Sequence, residues 1–356
     1  MRNVVRSIMK SYKDKQLLFG LLFLGIAAGI TGHGIEAART AVFSSSDNTN
    51  LNSATALLAT NENLATKSPP PPNITLGFAG DIMTDRGVRK QVLKNLGGDY
   101  TKLFTNAEFL KEPDIMFANL EGPVSDKGAD KHNLYSFHMA PATIPALKNA
   151  GIDIVSVANN HAGDWGRAAF EDTLTRLSAA GILACGGGMN KREASTPAVI
   201  SHEGFTVGYL CFSDVGPDDL AATETKSGIL LANDPEFDTI IREAATHVNA
   251  LIVSFHFGVE YQTHHSPRQE HLATRAIDAG AVMVVGGHPH VREDIAEHYN
   301  SAPIIYSLGN FIFDQGFSEA TLRGVYLTAT LSGKTISDVT PHTTVLDSNF
   351  AVSLEK

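Results

Sequence analysis

The feature that most constrains this chain is Gly286-Gly287-His288-Pro289-His290, which follows directly on the apolar run Ala281-Val282-Met283-Val284-Val285. A short apolar run closed by glycines reads as a buried strand, and the glycines let the backbone turn sharply where it ends. Two histidines one residue apart at such a mouth can aim two imidazoles at one metal site. An HxH alone is weak. It gains force because other apolar runs also end in donors: Asp81, Glu121, Asn160 with His161, and His256. Carboxylate, amide and imidazole donors without thiolate suit a divalent Mn, Fe, Zn, Co or Mg ion, one or two of them, and not a cysteine-built structural zinc site.

The body alternates between the two periodicities. Strands are expected over residues 74–79, 114–118, 153–157, 250–255 and 281–285. Helices are expected over 88–96, 143–150, 167–180, 237–247 and 268–279, with Gly151 and Gly181 as stop signals. Hairpins are expected around His202-Glu203-Gly204 and Ser332-Gly333-Lys334. Such alternation predicts a layered α/β fold with largely parallel strands, in which ligands gather beyond the strands' carboxyl ends. The chain divides by composition into a basic start with an apolar run (1–35), a linker (36–73), a main domain (74–332) and a C-terminal strand and tail (333–356).

Net charge is −10, but residues 1–16 carry +4, so the remainder carries −14. An acidic body argues against nucleic-acid binding, which requires phosphate neutralisation. The basic start precedes Leu17 to Ile30, an uncharged apolar stretch. This predicts a single-pass signal anchor with the following domain outside the cytoplasm, or, alternatively, a signal peptide cleaved before secretion. The linker is rich in Ser, Thr and Asn and ends in Pro69-Pro70-Pro71-Pro72, a stiff spacer. Cys185 and Cys211 lie in apolar strand-like contexts and are expected to be buried free thiols, with a single disulfide as the alternative.

The segments AGDIMTDRGV, NLEGPV, VANNHAGDWG, SFHFGVEY, GGHPHV and YSLGNFIFDQ together resemble the CapA/PgsA capsule-synthesis family, within the calcineurin-like metallophosphoesterase superfamily. The resemblance spans roughly residues 74–316. It implies an α/β/β/α sandwich and a metal set of Asp81, Glu121, Asn160, His256, His288 and His290, with Glu121 between two ions. His161 would act as general acid or transition-state stabiliser. By the same resemblance the protein is a membrane-anchored participant in poly-γ-glutamate synthesis or export, working by metal-assisted hydrolysis or transfer. Its substrate would be an anionic polymer or phosphoester, and its partners other membrane synthase subunits. A non-catalytic assembly subunit and a secreted phosphoesterase unrelated to capsule are the alternatives. Two positions depart from the superfamily pattern: Met83 stands where a histidine ligand is usual, and Glu121 where the bridging residue is usually Asp.

Other residues are read from position. Asp164 is placed to orient His161 or to cap the following helix; Arg86 to clamp an anion or to begin a solvated helix. Glu260, four residues after His256, is a supporting acid, an amine-binding residue or a solvent-facing loop residue, Asn119 and Asn310 are turn-forming or supporting amides, and His264-His265 is a loop tip rather than a ligand pair. The triplet Gly186-Gly187-Gly188 lacks a P-loop lysine and is read as a plain turn.

Overall fold

The computed structural model describes residues 71–356. The expected anchor and most of the linker lie outside the described residues. Among the described residues no helix is long and apolar enough to cross a membrane.

The strands run β1 (Asn73–Ile82), β2 (Ile115–Leu120), β3 (Ile154–Ser156), β4 (Leu183–Cys185), β5 (Gly187–Gly188), β6 (Ala198–His202), β7 (Phe205–Ser213) and β8 (Gly228–Ile229). They continue with β9 (Ala250–His256), β10 (Met283–Gly287), β11 (Ile295–Tyr299), β12 (Ala302–Ile305), β13 (Asn310–Ile312), β14 (Arg323–Ser332), β15 (Thr335–Leu346) and β16 (Val352–Leu354). Between them lie helices α1 (Arg86–Asn95), α2 (Thr143–Ala150), α3 (Gly166–Ala179), α4 (Lys191–Ala194), α5 (Phe237–Thr246) and α6 (Pro267–Asp278). Both expected hairpins form, as β6–β7 and β14–β15.

Two sheets result. The larger has the order β16-β15-β14-β1-β2-β3-β4 with β13 also beside β1; the smaller has β11-β12-β10-β9-β7-β6. The strands β1 to β4 run parallel, as do β7, β9, β10 and β12. Every residue of β2 and β9 is buried, as expected of parallel strands covered on both faces. Phe117 of β2 stacks on Tyr209 of β7 at 5.5 Å, so the two sheets face each other through one core. A second core lies between the smaller sheet and α5 and α6, built on Phe237, Ile241, Leu272 and Ala276.

Helix ends follow local chemistry. Gly151 closes α2 at φ 98°, and its N–H returns to the Leu147 and Lys148 carbonyls. α6 opens with a capping box, Ser266 with Gln269, and Pro267 in its first turn.

The free-thiol expectation is corrected. Cys185 at the end of β4 and Cys211 in β7 are joined, with Cα atoms 5.4 Å apart. Both side chains point into the space between the sheets, a proximity that apolar sequence context could not reveal. The bond links the sheets across a sequence separation of 26. Replacing both cysteines by alanine is expected to lower unfolding free energy by about 2–4 kcal/mol, read from denaturant titration. An unchanged midpoint and slope would show that the cross-link contributes nothing.

Candidate metal centre

The parallel strands of both sheets end at one edge of the molecule, and the register sets what meets there. Asp81 of β1 lies opposite Asn119 of β2 on one side and Asn310 of β13 on the other. In the smaller sheet His256 of β9 lies opposite Gly287 of β10. Gly287 sits close against Asp81 Oδ1, where a Cβ would intrude on the carboxylate.

Asp81 and Glu121 are fully buried, and His256, His288 and His290 nearly so. Asp81 Oδ1 accepts from Asn119 Nδ2 at 2.9 Å, and Oδ2 accepts from the His288 backbone N–H at 3.1 Å. Glu121 Oε1 has no hydrogen-bond partner, although three imidazole nitrogens surround it: Nε2 of His290 at 3.8 Å, of His161 at 3.9 Å and of His256 at 4.0 Å. His288 Nδ1 is also buried and unpartnered.

Tautomers follow from the partners. Asn310 Nδ2 donates to Gln315 Oε1 and to the Thr321 carbonyl, so its Oδ1 must accept from His290 Nδ1 at 3.0 Å. That leaves His290 Nε2 as a lone pair facing Glu121. His161 donates its Nδ1–H to Asp164 Oδ2 at 2.7 Å, which turns its Nε2 to the same carboxylate. Asp164 also accepts from the Phe137 N–H and from Asn133 Nδ2, while α3 is preceded by Trp165 without a side-chain cap. Its place is therefore beside His161 and not as a helix cap. His256 Nε2 lies 2.9 Å from Asn160 Oδ1, a contact between the end of one sheet and the end of the other.

Burial dominates the protonation of this cluster. It raises Asp81 to about 6 and Glu121 well above the ordinary range, Asp81 adding to the latter by repulsion. It lowers His256 far below 6.5, His288 to about 4 and His290 to about 3. Raised carboxylates beside depressed imidazoles, with a bare carboxylate oxygen at the centre, are what ligands show when a cation belongs among them. Asp81, Glu121 and His256 each bring a ligand atom within 4.8 Å of the others. The residues present thus fit a divalent ion.

The backbone is bent to make the site. His288 has φ 100° and His290 φ 59°, left-handed values that cost a non-glycine residue about 1–3 kcal/mol each. They point both imidazoles into the cluster from one short turn.

Met83 is fully buried with Phe137 and Phe313 in a small apolar group, so it seals one flank of the site and offers no nitrogen. Phe137 stacks on His161 at 3.8 Å. Arg86 begins α1, pairs with Asp314 at 3.2 Å and lies over the rings of Tyr135 and Phe137. With Glu260, Tyr261 and Phe317 it lines a cleft of about 200 Å³ that reaches His161 and His290. A larger groove of about 490 Å³, between α4, β6 and α5, lies away from these donors. The glycine triplet forms no phosphate loop, since Gly187-Gly188 pairs with Gly228-Ile229.

Several participants escape sequence reading. Asn159 is fully buried and donates to the Asn119 side-chain Oδ1 and to the Leu120 backbone carbonyl, tying the NLEG turn to the NNH turn. Its signal was the doubled asparagine, of which only Asn160 is an obvious donor. Tyr261 and Asp314 lie in the segments SFHFGVEY and YSLGNFIFDQ but, like Phe137, have no role readable from them, because those roles depend on chain segments that only folding brings together.

Fold and site define a two-sheet α/β protein with a candidate metal centre built from both sheets at their strand ends. Residues 75–315 match the family described as Bacterial capsule synthesis protein PGA_cap, and the chain belongs to that family. It is 35% identical over 250 residues to the PGA biosynthesis protein CapA of Bacillus subtilis (strain 168), covering 69% of this chain and 64% of that protein. It is 32% identical over 256 residues to the capsule biosynthesis protein CapA of Bacillus anthracis, covering 69% and 61%. The chain thus spans less than two thirds of the length of these relatives. Among solved structures, the calcineurin-like phosphoesterase YfkN from Bacillus subtilis overlaps with a TM-score of 0.44 at 13% identity, covering 81% of this chain and 91% of that one.

Proposed function

We propose that this protein acts in the synthesis or export of a poly-γ-glutamate-type envelope polymer, through metal-assisted hydrolysis or transfer at a phosphoester or amide bond. The observation that carries the catalytic part is Glu121 Oε1, fully buried, unpartnered and ringed by three imidazole nitrogens. The capsule part rests on the family and on the two named relatives. The layer order and the strand-end donors support a calcineurin-like reading of the fold.

Asp81, Glu121, Asn160, His256, His288 and His290 would hold one or two divalent ions. Such an ion supplies Lewis acidity and acidifies a water molecule. The chain's own residues do the rest. His161, fixed by Asp164 through Nδ1, presents Nε2 at the cleft wall and, in its doubly protonated form, can hand the Nε2 proton to a leaving group. Arg86, held in place by Asp314, offers its guanidinium to an anionic group of the substrate. Phe137, stacked against the His161 ring, and buried Met83 keep water from that side.

The basic start and the run Leu17–Ile30 support a membrane-tethered placement outside the cytoplasm, as does the disulfide, a bond that persists in oxidising compartments. The test is His161→Ala in the full chain. Polymer production is expected to fall by about 100-fold or more, with metal content and fold retained. If production is unchanged while the protein remains folded and in place, the chain serves as an assembly subunit and the catalytic reading is wrong.

A further inference from the structure

We propose that His265, Asp294 and Glu297 form a second, separate cation site, of the zinc type, that clamps the segment 257–266 alongside the strand-end centre.

His264-His265 reads from the sequence as a loop tip, and His264 is exposed as expected. His265 is not: its side chain is 18% exposed, and its ring lies flat on that of Tyr306 at 3.8 Å. Asp294 Oδ2 accepts from the His265 backbone N–H at 3.2 Å and from its Nδ1 at 2.9 Å, while Oδ1 lies 3.3 Å from His264 Nδ1. A carboxylate can only accept, so His265 carries a proton on Nδ1. The other ring nitrogen, Nε2, faces Glu297 Oε2 at 3.9 Å. At that separation no direct hydrogen bond joins the two groups, and the gap is one that a cation can bridge. Asp294 meanwhile holds the imidazole in the tautomer a metal requires, the carboxylate–histidine arrangement common behind metal ligands. All three residues bring a ligand atom within 4.8 Å of one another.

Independent observations point the same way. The Tyr306 hydroxyl is fully buried and has no hydrogen-bond partner, on a ring already stacked against His265. Glu293, 3% exposed, leaves Oε1 unpartnered while Oε2 accepts from Gln269 at 2.6 Å. An imidazole with carboxylates suits zinc, whereas calcium prefers six to eight oxygens.

The position gives the site a role. Segment 257–266 begins at His256 and hangs on the histidine turn, with the Phe257 N–H on the Gly287 carbonyl at 3.1 Å and the Tyr261 N–H on the Pro289 carbonyl at 2.8 Å. It carries Glu260 and Tyr261 to the cleft. A cation at His265 fixes its far end, just before α6.

The experiment is zinc titration of the metal-stripped full chain against a competing chelator, comparing wild type, Glu297→Gln, His265→Gln and Glu121→Gln. Glu297 is half exposed, so its variant is expected to fold, with circular dichroism as the check. Glu297→Gln and His265→Gln are each expected to bind one zinc equivalent fewer than wild type, and Glu121→Gln to keep the equivalent that they lose. Equal zinc uptake by wild type and Glu297→Gln overturns the proposal, as does a Glu121→Gln chain that binds no zinc. Calcium as effective as zinc at this site would overturn the assigned ligand class. None of these outcomes depends on whether the strand-end centre is catalytic.

Discussion

Glu121→Gln is expected to weaken divalent-ion binding at the strand ends by at least about 100-fold and, in the metal-free protein, to raise stability. Both effects come from one atom. Glu121 Oε1 is the common neighbour of His161, His256 and His290, so the amide takes away the anionic charge at the point where the two halves of the cluster meet. Without an ion, that carboxylate is buried with an unpartnered oxygen, and an uncompensated buried charge is costly. The amide removes the charge while leaving the shape, so a gain of about 1 kcal/mol or more is expected at pH 8. Calorimetric ion titration and metal-free denaturation measure the two halves. A variant with wild-type ion affinity would remove Glu121 from the ligand set.

Ion affinity should also climb steeply as pH rises through 6. Burial raises Asp81 to about 6 and Glu121 further, so in metal-free protein these carboxyls keep protons that exposed ones would have lost. The histidines are shifted down and are already neutral there, His288 titrating only at about 4 and His290 at about 3. Ion uptake must therefore expel protons from the carboxyls and not from the imidazoles. Apparent affinity should change by about tenfold per pH unit for each proton released, countable by calorimetry in buffers of different ionisation enthalpy. No proton release between pH 5 and 7 would contradict the burial argument.

The metal-free stability signs oppose one another. Asp81, raised in the folded state, contributes stability that is complete below 3.8 and lost as pH climbs through about 6. His288 and His290, depressed, contribute stability that is present above 6.5 and lost as pH falls towards about 4 and 3.

Much of this was legible in the chain. Each apolar run ended where a buried strand ends, and the donors followed at once, so Asp81, Glu121, Asn160, His256, His288 and His290 could be named before their convergence was seen. Helix α2 was readable to the residue because Gly151 marks its stop. What stayed hidden depends on tertiary contact. Cys185 and Cys211 meet only because β4 and β7 face each other in different sheets. His265 is set apart from His264 only by the ring of Tyr306 beneath it. Asn159 differs from Asn160 by direction alone, one amide turned into the protein and the other towards His256.

The contact between Asn160 Oδ1 and His256 Nε2 has a consequence for biogenesis. One residue belongs to the first half of the fold and the other to the second, about a hundred residues apart in synthesis. A nascent chain that has made only the first half holds Asp81 and Glu121 but no strand-end histidine except His161. Metallation of such a centre would therefore be a late event, coincident with docking of the two halves. The ion acquired would then be whichever the compartment of final folding supplies, so the place of maturation, as much as ligand chemistry, would select the metal.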